Sequence, residues 1–151
     1  MIPLIVLLTV FCFSLLLLKL FRKSLDFALA GRIAVSVMLL FTAVGHFAFT
    51  EGMAMMLPPF IPYKQEVVYF TGLIEIAAAF GLLIPRFRLI TAWLLVVFFI
   101  LVMPANIYAA IEHVNYQNAT LDGNGPAYLW FRVPLQVFFI IWVYLSAIRR
   151  R

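Results

Sequence analysis

The sequence predicts an all-α integral membrane protein, and three observations carry the prediction. Of the 151 residues 66% are hydrophobic and 11% charged, with a mean hydropathy of +1.11. Soluble domains are about half apolar and about a quarter charged, and so few charges cannot cover a folded surface in water. Five apolar runs are each long enough, at about 17 to 25 residues, to cross a bilayer. The Lys and Arg residues collect in alternate connections between those runs. At this length the expectation is one transmembrane domain over 1–151: an extra N-terminal helix and loop (1–30), then a four-helix core (31–151).

The first run extends from Ile2 to about Leu18. No Lys or Arg precedes it and a basic cluster follows, the reverse of a secretory signal. It is expected to stay as a helix with its N-terminus outside. Thr9, Cys12 and Ser14 are its polar side chains, so it belongs on the flank of the bundle. The second run spans about Ile33 to Leu57, where Pro58, Pro59 and Pro62 stop it. The third, about Val67 to Ile84, ends at Pro85. The fourth covers about Leu89 to Ile111 and the fifth about Tyr128 to Ile148. Between the last two, HVNYQNATLDGNGPA reads as an exposed loop.

Orientation follows from charge. Lys19, Arg22, Lys23 and Arg32 lie between the first and second helices, Arg86 and Arg88 between the third and fourth, and Arg149, Arg150 and Arg151 at the end. The remaining connections carry Lys64 alone. The positive-inside rule then predicts an N-out, C-in, multi-pass protein, and the expected location is a bacterial inner membrane. Tyr63, Tyr69, Tyr108, Tyr116, Tyr128 and Trp130 would mark the outer boundary, and Trp93, Trp142 and Tyr144 the inner one.

Several functions are excluded by composition. The net charge of +5 sits at helix ends rather than on a basic face, so nucleic acid is not an expected partner. Cys12 is the single cysteine, which rules out an internal disulfide, a CxxC pair and a thiolate metal cluster. No carboxylate cluster offers a metal site, and His46 and His113 fall at different depths, unlike haem axial ligands. Neither a metal nor an intrinsic cofactor is expected.

What remains is a set of polar residues inside the apolar runs: His46, Glu75, Asn106, Arg132 and Gln136, with Glu51 nearer the surface. An ionised side chain at a helix centre costs about 2.5 to 3.5 kcal/mol on insertion scales. Thr42, His46 and Thr50 share a face, as do Thr71 and Glu75, then Asn106, Ala110 and His113, then Arg132 and Gln136. Pro104 and Pro134 free the carbonyls of Ile100 and Trp130. At 1.5 Å per residue, Glu75 and Gln136 lie about 12 to 14 Å below the outer boundary. The spacing therefore predicts a polar pocket in the outer half of the bundle. Singly, each residue has a structural explanation, such as Glu75 bonded to Gln136 or Asn106 as a clasp between helices, or Arg132 reaching for headgroups.

The stretches GHFAFTEGM (45–53), TGLIEIAAAFGLLIP (71–85), MPANIYAAI (103–111) and GPAYLWFRVPLQ (125–136) resemble the DoxX-like membrane protein family. The resemblance covers the second to fifth helices and implies a four-helix transmembrane bundle with His46, Glu75, Asn106, Arg132 and Gln136 at characteristic positions. It also implies a link to membrane redox complexes, including a thiosulfate–quinone oxidoreductase subunit, or to assembly chaperones.

Three functions are compatible with these residues. In the first, the pocket binds a quinone, with Glu75 and His46 handling protons and Arg132, Asn106 and Gln136 orienting the ligand. A redox partner protein would then deliver electrons. In the second, the chain is a non-enzymatic assembly factor or scaffold in the lipid bilayer. In the third, it is a small proton-coupled solute carrier, acting as a homo-oligomer.

Overall fold

The computed structural model describes residues 2–22 and 25–149. It is all-helical, without strands among the described residues, and five helical segments are long and apolar enough to cross a membrane. They are α1 (Ile2–Arg22), α2 (Phe27–Ala48), α4 (Lys64–Leu83), a segment made of α5 (Arg88–Leu101) and α6 (Met103–Ile111), and α7 (Leu129–Val143) with a short helical turn at each end. A short helix, α3 (Thr50–Met55), follows α2. Lys23, Arg150 and Arg151, counted in the predicted inner basic clusters, lie outside the described residues.

α2 departs most from the apolar run that predicts it. It begins near Phe27 rather than Ile33, because the Asp26 carboxylate accepts the N–H of Leu29 at 2.9 Å and caps the first turn. Arg32 is consequently not a loop residue. It lies in the second turn, buried, and its Nε donates to the Ala28 carbonyl. The helix also stops early, at Ala48. Thr50 Oγ1 donates back to the His46 carbonyl at 2.8 Å and to the Phe47 carbonyl, so the hydroxyl competes for helical acceptors just where the chain turns. The apolar stretch to Leu57 thus divides into α2 and α3.

α2 is the central element and packs along α4, with α1 against its other side. The core joins Val35, Met38 and Leu39 of α2, Ala79 and Leu82 of α4, Ala92, Leu95 and Phe99 of α5, and Leu135, Phe139 and Val143 of α7. α1 contributes Leu7 to it but is otherwise mostly exposed, and Cys12 is on that exposed surface. Two small residues set the close approaches at the end carrying the α1–α2 connection. Gly31 faces Ser146, and Gly81 lies against Thr91. Trp142 is more than a boundary aromatic: its Nε1 donates to the Gly31 carbonyl at 3.2 Å while its ring meets Phe11 edge-on. Trp142→Phe keeps the ring and loses that bond, and should lower unfolding stability in detergent by about 1 kcal/mol. Thermal unfolding followed by circular dichroism measures it.

At the opposite end the α2–α4 and α6–α7 connections pack on each other. Lys64 Nζ donates to the Leu57 carbonyl, closing the first connection where Tyr63 takes a left-handed conformation (φ 50°). In the second, Asn115 and Thr120 exchange backbone hydrogen bonds. The Thr120 hydroxyl, aided by Asn115, holds the Asp122 carboxyl below its usual range.

Candidate functional site

Glu75 and His46 meet because α4 lacks a side chain at Gly72. A Cβ there would sit 2.9 Å from His46 Cβ, so only glycine lets the two helices come this close. One turn further along α4, Glu75 Oε2 lies 3.6 Å from His46 Nε2. Glu75 is 7% exposed, and the His46 side chain is 16% exposed.

The other imidazole nitrogen defines the proton on the ring. His46 Nδ1 is 3.0 Å from the Val68 carbonyl and 3.0 Å from Thr71 Oγ1, which itself donates to Val68 at 2.8 Å. A carbonyl can only accept, so Nδ1 carries hydrogen. Nε2 then faces Glu75 either as an acceptor, met by a protonated carboxyl, or as the donor of an imidazolium. At 3.6 Å the two atoms make an ion-pair contact and not a hydrogen bond. Glu75 Oε2 is buried and makes no hydrogen bond with any of the described residues. A buried acceptor without a full partner is costly unless something completes it.

The remaining predicted residues form a second group. Arg132 Nη2 donates to Asn106 Oδ1 at 3.0 Å, tying α7 to α6. Gln136 Nε2 donates to the Phe99 carbonyl at 2.8 Å, tying α7 to α5. That carbonyl is accessible because the helix is interrupted at Val102, between α5 and α6. Pro104 has no N–H to give the Ile100 carbonyl, and the acceptor that Gln136 uses is the neighbouring Phe99 carbonyl. Asn106 and Gln136 are both buried, at 9% and 6% exposed.

The five predicted residues are therefore brought together as a His46–Glu75 pair and an Arg132–Asn106 pair, with Gln136 on a main-chain carbonyl. Among the described residues no hydrogen bond or ion pair joins Glu75 to Asn106, Arg132 or Gln136. No clasp from Glu75 to Gln136 or Asn106 forms among the described residues; Gln136 Nε2 is on the Phe99 carbonyl and Asn106 Oδ1 on Arg132. His113 also leaves its predicted stripe. α6 ends at Ile111, and His113 turns into the loop with φ 53°, its ring against Gly125. Glu51 is exposed on α3. Val68 has no signal in the sequence, since its contribution is a main-chain oxygen; Thr71 is legible as the residue one turn before Glu75.

The second pair makes a structural prediction. Arg132→Met removes the donor from Asn106 and leaves a buried amide unpaired, at a cost of about 1 to 3 kcal/mol. Asn106→Leu with Arg132→Met should recover part of that loss, because removing both partners leaves no orphaned group. The thermal midpoints of the two variants check it.

Compared with known proteins, residues 35–147 match a family model described as a domain of unknown function (DUF8561). The match takes in all five residues above and leaves α1 outside. No curated protein and no solved structure matches the chain.

Proposed function

The chain belongs to the DUF8561 family, whose description assigns no chemistry, and from the geometry of the site we propose that it is a multi-pass membrane protein whose His46–Glu75 pair exchanges a proton with a bound quinone. The observation that carries this reading is the buried Glu75 Oε2, without a hydrogen bond and 3.6 Å from His46 Nε2. The donor set fits such a ligand. A quinol hydroxyl is the kind of donor Glu75 Oε2 lacks, and a quinone oxygen accepts from His46 once the pair holds an extra proton. A bound quinol supplies both the hydroxyl protons and the electrons. His46 and Glu75 hold or release protons at Nε2 and Oε2, while Val68 and Thr71 keep the ring in one orientation. Arg132, Asn106 and Gln136 hold α5, α6 and α7 in register around the ligand. Electrons pass to a partner redox protein, and the unit operates singly or as a homo-oligomer.

In this reading α2, α4, α5–α6 and α7 form a four-helix bundle with α1 on its flank. The N-terminus is outside and the basic connections face the cytoplasm of a bacterial inner membrane. The likeness of residues 45–53, 71–85, 103–111 and 125–136 to the DoxX-like family supports the same arrangement.

The test is organic extraction of protein purified in a mild detergent. We expect a quinone in the extract of the wild type, depleted about tenfold or more in Glu75→Gln. An extract without quinone, from protein that is folded, sinks the proposal. A second reading is favoured by the two engaged amides: Asn106 and Gln136 join helices, as residues of a non-enzymatic scaffold or assembly factor do. That reading expects Glu75→Gln to abolish capture of a partner protein with no change in bound small molecules.

A further inference from the structure

The turn between α4 and α5 is short and tightly built. Pro85 follows the end of α4, and the N–H groups of Phe87 and Arg88 both donate to the Ile84 carbonyl, at 3.1 and 2.9 Å. Gly81 lets the two helices close on each other beside the turn, since a Cβ there would collide with the Thr91 hydroxyl. Arg86, in the link, and Arg88, the first residue of α5, are thereby fixed at the end of the bundle that carries the α1–α2 connection.

Among the described residues neither guanidinium has a carboxylate partner. Arg88 Nε is buried and makes no hydrogen bond with any of the described residues, a costly state for a charged donor. Arg86 is exposed, and its guanidinium stands 6.0 Å from the centre of the Phe87 ring. Lys19 and Arg149 lie at the same end. Asp26 is the one acid there among the described residues, and its carboxylate caps α2. Glu51, Glu66, Glu112 and Asp122 lie at the opposite end, and Glu75 lies inside the bundle. No side chain caps α5, so the positive end of its dipole adds to the same field.

Apolar surface begins beside these charges. Phe87, Leu89, Ile90 and Trp93 are each half exposed or more, and they continue along the outside of α5 into the membrane-spanning segment. Two guanidinium forks without acids, bordering an apolar face, suit a ligand with a phosphate diester at one end and hydrocarbon at the other. The diester oxygens accept from both arginines, and the acyl chains cover the α5 face. A free phosphate gains nothing from that face, and an acidic protein segment does not reach the part of it that lies in hydrocarbon. A zwitterionic headgroup brings an ammonium that the positive end repels. We propose that the turn between α4 and α5 binds the headgroup of an anionic phospholipid through Arg86 and Arg88. The proposal is independent of the His46–Glu75 reading, because the turn lies beyond the last residue of α4 and shares no residue with that pair.

The experiment is native mass spectrometry of the delipidated full chain in a neutral detergent. It is titrated with phosphatidylglycerol and, separately, with phosphatidylcholine of the same acyl chains. We expect phosphatidylglycerol to bind about tenfold more tightly or better. Arg86→Gln and Arg88→Gln should each weaken it by about fivefold, while Lys19→Gln, an exposed cation on α1 at the same end, leaves it unchanged. Should Arg88→Gln not fold, Arg86→Gln, in the exposed link, carries the comparison. Equal affinity of the two lipids for the folded wild type overturns the proposal. So does a loss in Lys19→Gln equal to that in the arginine variants, which would assign the binding to the net charge of this end. Phosphatidylglycerol binding that the folded arginine variants retain in full overturns it as well. Two competitors test the other occupants. Inorganic phosphate that binds as tightly as the lipid, or a polyglutamate peptide that displaces the lipid, would assign the arginines to a soluble anion or an acidic protein, and either result overturns the proposal.

Discussion

Gly72→Leu should collapse the pairing of α2 with α4 and take the candidate site with it. The side chain would begin 2.9 Å from His46 Cβ and 3.2 Å from the Phe47 ring, so the helices must separate or rotate. Forcing extra volume into a packed contact costs about 1 to 3 kcal/mol, which in a chain of this size lowers the melting temperature by roughly 2 to 4 °C per kcal/mol. Gly72→Ala should show a smaller loss of the same sign, because the Cβ alone makes the close contact. The functional consequence is larger than the stability loss. His46 is held to α4 at the Val68 carbonyl, at Thr71 Oγ1 and across 3.6 Å to Glu75, and all three depend on the same interhelical distance. Ligand retention should therefore fall in step with helix separation. Full retention in a variant with a lowered melting temperature would place the ligand elsewhere.

The second large effect is expected at the proton itself. If the ligand favours one protonation state of the pair, the pair takes up a proton from water or releases one to it as the ligand binds, and ligand addition in weak buffer should change the pH in proportion to the amount bound. A pH-indicator dye follows it. In Glu75→Gln the amide cannot take up or release a proton in the working range, and the signal should disappear. In His46→Gln it should disappear too, since the glutamine amide is likewise fixed in its protonation. The double variant should lose no more than either single one. Coupled residues of this kind depart from additivity by about 0.5 to 3 kcal/mol. An undiminished proton signal in either variant would assign proton exchange to another group.

Much of the candidate site was legible in the sequence as a set of positions. Ionisable and amide residues stand out inside runs that are otherwise apolar, and helical periodicity assigns Thr71 and Glu75 to one face and Arg132 and Gln136 to another. Their partners were not legible. His46 and Glu75 are related through the absence of a side chain at Gly72, and a glycine in an apolar run has several possible causes. Gln136 finds the Phe99 carbonyl because the helix is broken at Val102, one of several places near Pro104 where it was free to yield. The bounds of α2 were misread for a local reason: Asp26 is a good cap, but hydropathy weighs it only as a charge at the edge of a run.

By itself the sequence determined that this is an all-helical chain with five segments fit to cross a membrane, and it determined which polar side chains those segments carry. Both follow from properties that add residue by residue: transfer into hydrocarbon and the period of the helix. Only the tertiary structure decided which polar group meets which. It placed Glu75 beside His46 and not Gln136, and set Arg132 on Asn106. Those contacts depend on how closely two helices approach and where a helix breaks, distances that no single segment contains.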